Sequence, residues 1–161
     1  GVIARTLAPA HIVAVASPAY LSGRKRATDP AELAALVGIV MRSSRTGRIR
    51  HWTMRDSAGR EVPAPLAESI VVNEPRAMRE AALLGLGVTM LAVPDVLDAM
   101  KEGTLVRLAP RWYADAGSIS IYHASRELLP AKTRAFITWV GDAFKERKLA
   151  RRFAAAELRT T

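Results

Sequence analysis

The chain has 161 residues, half of them apolar and 24% charged, with a formal net charge of +9. That balance excludes a disordered chain and gives length enough for one ordinary domain, or two small lobes, around a real core. The lack of cysteine excludes disulfides, thiolate metal sites and thiol catalysis. No apolar run approaches the roughly 18 residues that cross a bilayer, and the opening GVIARTLAPAHIVAVAS lacks the layout of a signal peptide. The positive excess gathers at residues 42–55 and 145–159. Clustered Lys and Arg are the footprint of a nucleic-acid or anion surface, and equally of a solvated basic face. Neither stretch carries the interleaved aromatics of a single-strand stacking platform.

In chain order, residues 1–10 with Pro9 are a short leading segment belonging to something upstream. Residues 12–16 (IVAVA) read as a strand ended by Ser17-Pro18, and residues 19–26 as a loop with a basic tip. Asp29 then caps a short helix over residues 30–36, with Pro30 at its first position and Glu32 reaching back as in a capping box. Residues 38–41 form the next strand, opening into RSSRTGR. Residues 49–55 and 61–63 flank Asp56-Ser57-Ala58-Gly59-Arg60, a hairpin, with Trp52 as its packing anchor.

The most tightly specified unit comes next. Ile70, Val71 and Val72 are the β-branched run of a buried strand. Asn73 and Glu74 break it, Pro75 opens a helix to Leu84, and residues 88–93 are apolar again. Strand to strand through a helix implies a right-handed parallel crossover, with ligands beyond the carboxyl ends of the strands. Further on come a helix over 94–101, a strand over 105–108, a turn over 110–117 and a strand over 119–123. The longest helix spans 130–148, with Phe136, Ile137, Val140, Ala143 and Phe144 on one stripe. Beyond Arg151 the composition predicts a fraying helical tail. This order indicates an α/β domain.

The chemistry is that of binding. No G-x-S-x-G elbow and no H-E-x-x-H spacing occurs, so no catalytic residue, metal ligand or cofactor is assigned. His11, His51 and His123 have no carboxylate partner by spacing and read as structural or surface residues. Gly85-Leu86-Gly87 comes after a helix instead of joining a strand to one, which fails the context of a phosphate loop. Gly85 reads as the helix C-terminal stop. Asn73 ends a strand beside a helix N-terminus, where free N–H groups favour an anion; it, or Glu74, equally serves as that helix's own cap. Ser17 ends the first strand as turn initiator or ligand contact. Ser43 and Ser44 end the second strand. Such small polar groups orient a ligand and perform no covalent chemistry.

VASPAYL, DPAELAAL, VVNEPRAMREAALLGLGVTMLAVPDVL and HASRELLPAKTRAFITWV together resemble the effector-binding domain of LysR-type transcriptional regulators, over nearly the whole chain. The resemblance implies an α/β fold like type II periplasmic binding proteins, with the second lobe complete (residues 17–119) and the first lobe partial (1–16 and 120–161). It implies that Ser17 and Asn73 touch a small effector held between lobes, with Glu74, Ser43 and Ser44 added by location. It implies a cytoplasmic, non-enzymatic sensor without a membrane segment, dimeric as a domain and tetrameric at full length. Such a sensor reaches DNA through an N-terminal winged helix-turn-helix that this chain does not contain. An organic anion suits the arginines at 42, 45 and 48. The rival readings are a transporter's solute-binding protein of the same fold and a basic, nucleic-acid-contacting piece. The partial first lobe is expected to cover its apolar faces with another copy or with the second lobe.

Overall fold

The computed structural model describes residues 1–124 and 129–158. The start of the SRELLPAK motif, residues 125–128, and the last residues, 159–161, lie outside the described residues.

Strand β1 (Val2–Ala16) organises the molecule. Its second half, an unbroken apolar run, is buried on both faces, as a central strand requires. There it pairs antiparallel with β6 (Val88–Ala92) and β7 (Val106–Leu108). Its first half pairs with β8 (Ala114–Ala124). The full sheet order is β5-β2-β6-β1-β7, with β8 on β1. Strands β2 (Gly38–Met41) and β5 (Ile70–Val72) run parallel to β6 and to each other. Strands β3 (Thr53–Arg55) and β4 (Glu61–Pro63) form the separate hairpin.

Helices α2 (Pro75–Leu83) and α3 (Val93–Glu102) cover one sheet face, burying Met78, Ala82, Val93 and Val96 with Val13, Val15 and Ile39. On the other face Tyr20, Leu33, Met54 and Trp112 pack on Ile12, Ala14 and Met90. The alternation of β1 side chains between these two cores is the period of a strand. Gly38 and Gly87 stand where the chain passes close: a Cβ on either would strike the carbonyl of Ala67 or Val37.

The crossover over 70–92 has the expected order of strand, helix, glycine stop and strand, but Ile70–Val72 is an edge strand with Val71 41% exposed rather than a buried one. Gly85 takes φ +78°, and the N–H groups of Gly85 and Leu86 donate to the carbonyls of Ala82 and Ala81, a Schellman closure. The capping box is also present: the Asp29 carboxylate accepts from the first turn and Glu32 reaches back over Pro30–Ala35, a 3-10 helix.

Five further expectations need correction. Residues 2–10 are strand rather than a leading segment, because β8 supplies their partners and Pro9 stands between two register shifts. Residues 19–21 belong to a short helix α1 (Pro18–Leu21), capped by the Ser17 hydroxyl. The turn over 110–117 already becomes strand at Ala114, where Ala114 and Asp115 pair with Ile12 and His11. As far as residue 158 the tail is docked rather than frayed: after α4 (Ala131–Glu146) and α5 (Leu149–Arg152), Ala155 is 1% exposed and joins the α2–α3 core. On the long helix only Ile137 and Gly141 are buried, whereas Phe136 and Trp139 are exposed.

Candidate functional site

Three strand ends are the expected carriers of the site, and strand direction separates them. Because β2 and β5 are parallel, Ser43, Ser44, Asn73 and Glu74 share one end of the sheet. Strand β1 runs the other way: Val15 stands opposite Thr89 and Ile12 opposite Ala92. Ser17 therefore lies at the far end, beside Gly85 at the close of α2. It is buried, and its Oγ accepts from the Tyr20 N–H at 3.2 Å. The structure does not bring Ser17 and Asn73 together.

Asn73 and Glu74 are exposed, and the Glu74 side chain makes no capping bond to α2. The first N–H groups of that nine-residue helix are left for a ligand or water. Ser43 Oγ accepts from the Thr46 N–H at 3.3 Å and so serves its own turn. The same turn is held by Gly47 N–H on the Ser43 carbonyl and by the Arg42 guanidinium on the Gly47 carbonyl. Ser44 is exposed.

At this end of the sheet lies a pocket of about 280 Å³. Met41, Leu66, Met78 and Met90 give it apolar walls. Trp52 lines it with the Arg50 guanidinium 4.5 Å above its ring centre, a cation–π pair that holds the cation at the mouth. Pro75 and Asp95 add the starts of α2 and α3. Desolvation pushes the Asp95 carboxyl above its ordinary value, while the Arg79 guanidinium pulls it down. Polarisable, unbranched methionines adapt to a ligand's shape better than branched side chains do. No nucleophile stands beside a base among the described residues that line the pocket. Among the described residues, no three His, Cys, Asp or Glu side chains gather as a metal site.

Sequence reasoning passed over Arg50 and Asp95. The strand-end rule that selected Asn73 applies equally to β6, whose end runs Ala92-Val93-Pro94-Asp95. Trp52 packs on the core as expected and also lines the pocket.

The model of the LysR substrate binding domain matches residues 1–145. The chain belongs to that family. The regulator PtxR of Pseudomonas aeruginosa, described as an HTH-type transcriptional regulator, is 31% identical over 138 residues, covering 85% of this chain and 43% of the relative. A second relative from the same species, described as an HTH-type transcriptional repressor, is 25% identical over 89% of this chain and is covered to 45%. The chain thus spans under half the length of these curated relatives. Among solved structures, the regulatory domain of AphB from Vibrio vulnificus superposes with a TM-score of 0.74 at 27% identity, over 86% of this chain and 68% of that one. Full-length AphB of Vibrio cholerae, a virulence activator, gives 0.76 at 24% identity, over 89% of this chain and 48% of that one, a likeness of fold. The LysR-type resemblance and the α/β, periplasmic-binding-protein-like fold therefore stand. The relatives are regulators, which disfavours the transporter reading and suggests a non-enzymatic role. Among the described residues no helix is long and apolar enough to cross a membrane.

Proposed function

We propose that this chain is the ligand-sensing regulatory domain of a LysR-type transcription factor, and that its effector enters the pocket at the carboxyl ends of β2 and β6, beside the start of α2. The observation that carries this reading is the pocket itself. Apolar walls with one guanidinium at the mouth lie where two strand ends meet the uncapped start of α2. A small organic anion with an apolar body suits it, with the body on Trp52 and the methionines and the charge toward Arg50. Asn73 and Ser44 are rim contacts, Glu74 a charge that rejects more acidic ligands, and Ser43 a residue that shapes the basic turn. Ser17 acts as the cap of α1, away from the ligand.

In this reading residues 17–119 form one lobe, and residues 1–16 with the chain from 120 onward belong to the other. Effector binding shifts the equilibrium between lobe arrangements in a cytoplasmic homo-oligomer and so alters how an N-terminal helix-turn-helix meets DNA. Such a shift requires different affinities for the two arrangements.

The test is thermal melting with graded concentrations of small aromatic and aliphatic carboxylates. A true effector raises the midpoint progressively with concentration. Trp52→Ala and Arg50→Ala should each weaken that ligand by roughly tenfold, about 1.4 kcal/mol. Ligand binding indifferent to both substitutions would place the site elsewhere.

A further inference from the structure

The docked tail is not explained by the pocket, and it lies beyond the residues that the family model matches. It leaves α4 through Lys148 at φ +53°, a left-handed conformation unfavourable for a side-chain-bearing residue. Docking of residues 149–158 must hold that turn. Phe153 and Leu158 pack against the α2–α3 core, and Phe153 meets Phe144 edge-on at 6.3 Å. The tail therefore runs from the helix beside the β1–β8 arm onto the body of the sheet.

One peptide group fixes it. The Ala155 N–H donates to His11 Nδ1 at 2.9 Å, and the Ala155 carbonyl accepts from Arg107 at 2.8 Å. Arg107 is itself buried, with its second nitrogen on the Trp112 carbonyl at 2.9 Å. His11 sits at the register shift of β1, and its neighbours Ala10 and Ile12 line the pocket.

We propose that residues 149–158 are a strap across β1, latched by the Ala155 peptide between His11 and Arg107, and that protonation of His11 opens the latch. An imidazole accepts at Nδ1 only while that nitrogen carries no proton. In the imidazolium both nitrogens donate, and the Ala155 N–H faces a second N–H. The groups facing His11 divide. Asp115, its partner across β8, favours the proton; Arg55 of the hairpin and Arg107 of β7 oppose it; and the Tyr113 ring lies at 4.3 Å. On the strap, Arg151 and Glu157 pair with each other at 3.2 Å. Burial is the largest influence and lowers the His11 pKa from its ordinary 6.5. The docked strap therefore binds a proton more weakly than the released one. Its stability is full above 6.5 and declines as the pH falls from there toward the lowered value.

The measurement is NMR of the intact chain at about pH 7.5 and about pH 5.5, the range in which a histidine switch operates. It reads amide exchange corrected for intrinsic rates, together with the imidazole nitrogen shifts. At the higher pH His11 Nδ1 should be unprotonated and the Ala155 amide protected; at the lower pH protection should fall several-fold. His11→Asn retains an acceptor near the Nδ1 position without titrating, so its strap should stay protected at both values. Ala155→Pro, at the first position of a 3-10 helix where proline is tolerated, removes the donor and should deprotect the strap at both. Protection independent of pH in the unmodified chain would overturn the proposal. So would a His11→Asn chain that still loses protection in acid, or a proton on Nδ1 at the higher pH.

Discussion

Single residues of this protein carry tasks that their chemical type alone leaves open. Gly87 is needed because any Cβ would strike the Val37 carbonyl. Gly87→Ala should cost about 1–3 kcal/mol, the usual penalty for overpacking, read as a lowered denaturant midpoint. Arg107 is a buried cation whose hydrogen-bond partners are main-chain carbonyls, and burial lowers its pKa to about 10. Arg107→Leu leaves the carbonyls of Ala155 and Trp112 without this donor. It should destabilise the chain by about 1–3 kcal/mol and release the strap, visible as faster tryptic cleavage after Arg151 and Arg152. Ser17 shows why a residue type at a strand end is ambiguous. The same hydroxyl that suits a ligand is spent here on the Tyr20 N–H.

Among the elements, the short 3-10 helix after Asp29 is held mainly by its box. Asp29→Ala should cost about 1 kcal/mol, measurable by chemical denaturation. Glu32 accepts from Lys25 and from the N–H groups of Thr28 and Asp29, and these bonds lower its pKa from 4.5 to about 2. A depressed acid stabilises the fold fully above its ordinary value and progressively less as the pH falls toward 2. Melting profiles of Glu32→Gln and the unmodified chain should therefore converge on acidification and separate above about pH 5. Helix α2 differs, since its start carries no side-chain cap while its end is closed in full.

Viewed whole, the molecule is a sheet covered on both faces, with a two-stranded arm and a long helix at one side. Val2, Tyr122, Phe136 and Trp139 on these parts are more than half exposed. The basic excess is partly committed, since Arg42 holds its own turn and Arg55 pairs with Glu61 and Asp115. Arg45 and Arg48 are exposed. Weak, sequence-indifferent retention of duplex DNA at low salt is the expectation, lost by about 200 mM salt, as counterion release dictates. Sequence-selective retention at that salt would revive the nucleic-acid reading.

The segment from Ile70 to Ala92 was legible because each of its signals is local: a β-branched run, a proline at the helix start and a glycine just past the helix end. The capping box, the hairpin and β2 were legible for the same reason, and the motifs together sufficed for the family. Strand direction was not, because antiparallel β1 and parallel β2 leave no different mark on their own residues. That is why Ser17 could be grouped with Asn73 although the sheet sets them at opposite ends. The first half of β1 was hidden because its partner, β8, comes more than a hundred residues later. The strap was hidden because Ala155 acquires its role only from His11 and Arg107. Local propensity settled the elements whose signals lie within a few residues, such as the crossover, the capping box and β2; pairing between distant segments decided the first half of β1, which strand ends form the pocket and what holds the tail.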